Sequence, residues 1–181
     1  MWQTLRHLVL GFVVVGTVLF LCLTGVEPAS VWSATAAIRQ LEEAPGQVDY
    51  QSRQTLQDQH GNSWQTIAFK RTRPGKNPAF FLRLVAFPGV ASIDRSQPLA
   101  LTNSLGKLLI ANDASAKIFT HETLPEPNVG QYDLAPIISE LQPTLPLKLS
   151  LPTTQFEPVE ILVPASLVKE WKTLYSFRRV A

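Results

Sequence analysis

Beyond residue 46 the apolar side chains of this chain alternate with polar ones, and turn residues interrupt the alternation at short intervals. Residues 64–70 place Gln65, Ile67 and Phe69 on one face and Trp64, Thr66 and Ala68 on the other. A period of two is a strand period, because successive strand side chains point to opposite sides. Residues 48–56 read as a preceding strand, and Asp58-Gln59-His60-Gly61-Asn62 supplies the turn of a hairpin. In residues 80–87, Phe80, Leu82, Leu84 and Ala86 face one way and Phe81, Val85 and Phe87 the other, with Arg83 as the interruption. A strand apolar on both faces is covered on both, so this one is expected at the centre of a sheet.

Two further hairpins follow. Residues 99–102 and 107–111 flank Asn103-Ser104-Leu105-Gly106. Leu147, Leu149 and Leu151 alternate with Lys148 and Ser150, and Val159, Ile161 and Val163 alternate with Glu160 and Leu162. Helical spacing appears at Leu134, Ile137, Ile138 and Leu141 behind a capping Asp133, with Pro136 in the first turn and Pro143 as the stop. It appears again behind Pro164 at Leu167, Val168, Trp171, Leu174 and Tyr175. Residues 37–44 are expected to form one more short helix, ended by Pro45-Gly46. The expected class is α+β: a mainly antiparallel sheet built from hairpins, with two short amphipathic helices in the C-terminal half.

The first 36 residues read differently. Arg6 gives a positive start, residues 8–26 carry no charge, and Ala34-Thr35-Ala36 offers a small-x-small cleavage site. The apolar run is longer than the core of most signal peptides, about 7–15 residues, and close to the roughly 20 of a spanning helix. Residues 1–36 are therefore expected to act as a signal peptide or signal anchor, and residues 37–181 as a single exported domain. Cys22 is the lone cysteine. Bulky Leu21 before it does not fit a lipoprotein signal, so Cys22 counts as an apolar residue of the run. One cysteine excludes an intrachain disulfide and a thiolate zinc site. A formal charge of +2 is too small to imply a nucleic-acid partner.

Chemistry-bearing constellations are sparse. His60 and His121 are the histidines beyond the signal region; they lack ligand spacing, and His60 sits in a turn. A hydrolase could draw on Ser96 in Asp94-Arg95-Ser96, or another serine, with His121 as base, but no Gly-x-Ser-x-Gly elbow stands in the chain and a pairing with His121 is close to chance. The Asp94 and Arg95 pair has a structural role instead, Asp94 bonding backbone N–H groups in its turn and Arg95 pairing with a carboxylate. Lys70, Arg71, Arg73 and Lys76 put four cations at a hairpin tip, a candidate docking loop for an acidic lipid or protein surface. Residues 112–133 form a long segment without period, expected to pack as a cover through Phe119, Leu124 and Tyr132. No nucleotide, calcium or haem motif is present, and no cofactor is expected.

Several stretches together carry a resemblance: residues 50–56 into Asp58-Gln59-His60-Gly61-Asn62-Ser63-Trp64-Gln65, then Phe87-Pro88-Gly89-Val90, residues 94–99, residues 125–133 and the ending at 163–171. They resemble a family of exported cyanobacterial proteins catalogued as a domain of unknown function (DUF3122-like). The resemblance implies a cyanobacterial source and a lumenal or periplasmic compartment, and it carries over no catalytic residue.

The functional expectation is a non-catalytic exported domain, not an enzyme. It would bind a membrane-associated protein complex, or an anionic lipid surface, at the lumenal or periplasmic membrane face, held there through residues 8–26 if they stay uncleaved. A photosynthetic complex as partner follows from the resemblance alone. A small hydrophobic-ligand carrier, its pocket closed by residues 112–133, is the alternative, and a small hydrolase the third.

Overall fold

Antiparallel strand pairing accounts for most of the backbone. A computed structural model of the chain describes residues 39–44, 47–72, 77–118, 125–155 and 157–177, with side chains from residue 50 onward. All of them belong to the unit Thr35–Ala181. The expected N-terminal signal or anchor, Cys22, His121, Phe119, Leu124, Arg73 and Lys76 lie outside the described residues.

The strands are β1 (Arg39–Ala44), β2 (Gln47–Gln57), β3 (Ser63–Thr72), β4 (Ala79–Ala86), β5 (Leu99–Asn103), β6 (Leu108–Ala111), β7 (Val129–Asp133), β8 (Leu147–Leu151) and β9 (Val159–Val163). A five-stranded sheet runs β1-β2-β3-β4-β7 and a four-stranded sheet β6-β5-β8-β9. One α-helix, α1 (Ala165–Ser176), follows β9, and two 3-10 turns span Ser115–Lys117 and Ile138–Glu140. The mainly antiparallel expectation holds, and so do its three hairpins: Leu56 faces Trp64, Thr102 faces Leu108 and Leu149 faces Ile161.

Two helical expectations do not. Residues 39–44 form a strand, paired to β2 with Arg39 opposite Gln51 and Glu42 opposite Val48. A segment this short gains too little from its own helical bonds to resist pairing with a neighbour of 11 residues. The second correction concerns residues 134–141. Asp133 does accept the Ala135 N–H at 3.0 Å, but only a single 3-10 turn follows. The Leu134 N–H still bonds the Phe80 carbonyl at 2.9 Å, so β7 pairing runs to the edge of the turn. Leu141 then turns extended, with ψ of 132°, so no second helical turn forms before Pro143. Its apolar residues are buried nonetheless, with Leu134, Ile138 and Leu141 at 2% exposure or less.

The core lies between the inner face of the five-stranded sheet, the four-stranded sheet and α1. Cross-strand register arranges the inner face in rows. Ser52, Ala68, Leu82 and Tyr132 make one row, and Tyr50, Lys70 and Phe80 make the next. α1 crosses β2 and β3, burying Leu167, Val168, Trp171 and Leu174. Ser52 and Ala68 are the small side chains of the row beneath it, and Trp171 is wholly buried.

The second row receives the end of the helix. Lys70 Nζ donates to the Tyr175 carbonyl at 2.5 Å and the Phe177 carbonyl at 2.6 Å, and it stands 5.4 Å above the Tyr175 ring. Carbonyls at a helix C-terminus lack intrahelical partners and carry partial negative charge, so an ammonium there meets both needs. Tyr50 stacks on Phe177 at 5.7 Å and Phe80 meets Tyr175 edge-on at 5.4 Å. Lys70, expected at an exposed tip, is therefore an inward-facing residue only 7% exposed.

Removing Trp171 empties the space under α1, and Trp171→Ala should lower stability by about 3–5 kcal/mol in urea melts. Lys70→Met should lower it by about 1–3 kcal/mol, because the helix end loses a charged donor. Glu170 gives a pH test. Burial raises its pKa above the ordinary value, and Ser52 on β2 offsets part of the rise without closing a hydrogen bond to the buried Oε1. The folded state thus holds a proton that the unfolded chain releases at lower pH. Its stabilising effect is present below the ordinary carboxylate pKa and is lost as pH rises through the folded value. Glu170→Gln should accordingly raise the melting temperature more at pH 7 than at pH 4.

Candidate functional site

The β2–β3 turn is organised by one carboxylate. Asp58 Oδ1 accepts the N–H groups of His60 and Asn62, each at 2.9 Å, and Oδ2 accepts the Asn62 amide at 3.1 Å and the Trp64 indole N–H at 3.0 Å. Burial alone would raise its pKa, but the bonds from Trp64, Asn62 and His60 outweigh this and lower it. The turn closes at Gly61, whose φ of +81° suits a residue without a Cβ. Gln59 reaches across to β9, donating its N–H to the Glu160 carbonyl at 3.1 Å and accepting the Glu160 N–H at 2.7 Å. His60 is exposed and takes part only through its backbone. A cleft of about 370 Å³ borders this turn, lined by Asp58, His60, Val90, Glu157 and Val159 among others.

Asp94 and Arg95 order a second loop. Asp94 Oδ1 accepts the Ser96 N–H at 3.0 Å and its hydroxyl at 2.5 Å, and Oδ2 accepts the Gln97 amide at 2.9 Å. The Ser96 hydroxyl and N–H, with the Gln97 amide, hold the Asp94 pKa below its ordinary value. Arg95 differs from the expected carboxylate partner. Its Nη2 donates to three carbonyls, of Pro125, Glu126 and Val129, at 2.9, 2.6 and 2.9 Å. Arg95 thereby pins the turn that leads into β7. Ser96, the candidate nucleophile, spends its hydroxyl on Asp94. Tyr132 lies wholly buried beneath this region, and burial pushes its phenol pKa upward.

The expected basic tip divides. Lys70 faces inward, as described above. Arg71, one residue on, belongs to the outer face with Ile67 and Phe69, and its guanidinium lies 5.5 Å from the Phe69 ring. Arg83 on β4 sits 5.1 Å from the same ring, and Lys117 lies 5.5 Å from Phe81. Phe69 and Phe81 pack at 5.6 Å, so three cations stand over one aromatic pair. Gln131 fixes Arg83 from β7, accepting from its Nη2 at 2.9 Å and donating to the Ala114 carbonyl at 3.2 Å.

The exposed apolar side chains gather elsewhere. On the outer face of the four-stranded sheet, one row reads Leu108, Thr102, Lys148, Leu162 and the next Ile110, Ala100, Ser150, Glu160. Leu108 is 56% exposed, Ile110 43% and Leu162 69%, and Leu105 at the β5–β6 tip reaches 77%. The middle strands contribute Thr102, Ala100, Ser150 and Lys148 to this face, and its charges, Lys148 and Glu160, pair with each other at 2.7 Å. The alternation through residues 159–163 already put Leu162, with Glu160, on the face opposite the core. A separate groove of about 580 Å³ lies at the end of β4, lined by Thr55, Gln65, Val85, Phe87, Pro88 and Asn128 among others.

Among the described residues, no cluster of three or more His, Cys, Asp or Glu could hold a metal ion. Nor is any helix among them long and apolar enough to cross a membrane. The family model described as "Protein of unknown function (DUF3122)" matches residues 36–174. No curated protein and no solved structure matches the chain.

The Asp58 turn yields a direct test. Asp58→Ala leaves the buried Trp64 N–H without an acceptor and should cost about 3 kcal/mol, whereas His60→Ala should stay within about 0.5 kcal/mol of wild type. Because the Asp58 pKa is lowered on folding, its contribution is present above the ordinary carboxylate pKa and lost as pH falls through the folded value. Urea melts of both variants, with an acid titration of the wild type, check all three statements.

Proposed function

We propose that this chain, which belongs to the DUF3122 family of proteins of unknown function, is a non-catalytic interaction module that docks a protein partner. It works at the lumenal or periplasmic membrane face, and a photosynthetic complex is the partner we put forward. The observation that supports docking is the outer face of the four-stranded sheet, where Leu108, Ile110 and Leu162 stand exposed on its two edge strands. Exposed apolar side chains at both edges of one sheet face, with polar residues between them, are features of interaction surfaces. The charges on this face pair with each other, which leaves no net positive charge to attract acidic headgroups. That balance favours a protein over a lipid surface as the occupant. In the same reading the basic hairpin of Arg71, with Arg73 and Lys76 outside the described residues, is the contact to an anionic surface, and Lys70 is excluded from it by burial.

A carrier of a small hydrophobic ligand is the second reading, supported by the groove at Phe87, whose volume of about 580 Å³ is in the range of ligand sites. Mass spectrometry of the purified chain separates the two, since a carrier retains a lipid or pigment.

Docking is tested by photocrosslinking in the native membrane with the full chain. A probe at Leu162 should give a discrete adduct that a probe at the exposed helix residue Ser166 does not. The variant Leu162→Lys, with the probe moved to Ser150 on the same face, should lose the adduct and keep the wild-type melting temperature. Equal labelling from Leu162 and Ser166 would refute the docking face.

A further inference from the structure

We infer that β6 pairs with β6 of a second copy of this chain, joining two four-stranded sheets across a two-fold axis. The inference concerns a strand edge, and it does not depend on the docking face proposed above.

The chain covers two of its other strand edges, those of β9 and β7, with its own backbone. The β9 edge is met by the Asp58 turn through Gln59 and Glu160. The β7 edge is met by residues 112–114, since Asp133 N–H bonds the Asn112 carbonyl at 2.9 Å and Ala114 N–H bonds the Gln131 carbonyl at 2.7 Å. β6 ends the four-stranded sheet, and among the described residues its ladder partner is β5 alone. Natural edges are usually blunted by a charge, a proline or a bulge. Leu108-Leu109-Ile110-Ala111 has neither charge nor proline, and its register with β5 is continuous.

Register also says where the backbone groups point. The Asn103 N–H bonds the Lys107 carbonyl at 3.0 Å, which closes the β5–β6 hairpin. Antiparallel ladders alternate bonded and non-bonded pairs. Leu101 with Leu109 and Leu99 with Ala111 are therefore bonded pairs, and Leu108 and Ile110 turn their N–H and C=O groups outward. Their side chains are exposed on the same strand.

A second copy fits this edge because the strand is self-complementary when reversed. Pairing about Leu109 sets Leu108 against Ile110 of the second copy and Leu109 against itself, with about four backbone hydrogen bonds. Every such pair is apolar on both sides. Lys107 falls opposite Ala111 of the second copy, so no like charges meet, and its ammonium is already tied to Glu140 at 2.8 Å. Apolar cross-strand pairs of this kind stabilise a sheet, whereas like charges opposite each other oppose it.

The geometry makes proline diagnostic. The Ile110 N–H points away from β5, so Ile110→Pro should leave the hairpin intact and remove a donor from the new interface. The full chain, purified in detergent, should sediment as a dimer, and Ile110→Pro should lose the dimer while melting as the wild type does. If Ile110→Pro fails to fold, Ile110→Lys decides, because it keeps the backbone and sets a charge against Leu108 of the second copy. In a Cys22→Ser background, Leu109→Cys should form an intermolecular disulfide under mild oxidation, since non-bonded antiparallel pairs place their Cα atoms about 4.5 Å apart. Leu162→Cys, on the opposite strand of the sheet, should not. A monomeric wild type at every concentration overturns the inference, as does a dimer that survives the Ile110 variants. Loss of the Leu162 photoadduct with the dimer retained would speak to the docking face alone.

Discussion

The two sheets meet at Asp58, and much of the architecture depends on how that carboxylate is satisfied. A partly buried carboxylate is costly unless its oxygens are bonded, and here four donors converge on them. Two are backbone N–H groups, which fix the shape of the turn. The third is the side chain of Asn62, and the fourth is the indole of Trp64, a wholly buried residue at the start of β3. The same turn carries Gln59, which closes the edge of β9, and Asp58 itself bridges to Ile161. Turn geometry, the orientation of a large core side chain and the contact between sheets thus rest on one group, so they are lost together or not at all.

Closure of the core by α1 follows a different rule. Under the helix, Ser52 Oγ, Glu170 Oε1 and Trp171 Nε1 are buried without hydrogen-bond partners. Each is an unfavourable contribution, so the polar groups of this interface do not hold the helix down. The apolar stripe does, together with the row Tyr50–Lys70–Phe80, which grips the last turn from three adjacent strands. A single row of register-matched side chains can do this because α1 ends over it, where the helix has free carbonyls to offer.

Which parts of this were legible depends on whether the signal was local. The hairpins were, because alternation and turn residues occur within about ten residues of each other. Lys70 was legible too, had period two been carried one step further: it continues the face of Trp64, Thr66 and Ala68, whereas Arg71 continues that of Ile67 and Phe69. Grouping the cations by proximity in sequence mixed two sides of one strand. The Arg95 carbonyl contacts and the partners of Gln131 span 16 residues or more and leave no local trace. β7 was hidden for a related reason: Val129, Gly130 and Gln131 show no strand pattern alone, and pairing with β4 recruits them. Residues 134–141 have the spacing of a helix but are held at one end by Phe80. Periodicity reported their burial correctly and their backbone wrongly.

The same limit explains the exposed strand. Residues 108–111 are apolar on both faces, as are residues 80–86 apart from Arg83, and a one-dimensional pattern does not tell an edge strand from a central one. Topology gives β4 two neighbours and β6 one. In β4 the second apolar face meets the covering segment at Ala114, which packs with Phe81. In β6 the excess apolar surface is left at an edge, next to the proposed docking face, which shares Leu108 and Ile110. Edge pairing would therefore place two such faces side by side on one continuous sheet. A partner with two matching surfaces would meet them at high effective concentration, so self-association and partner affinity would rise together without any new contact.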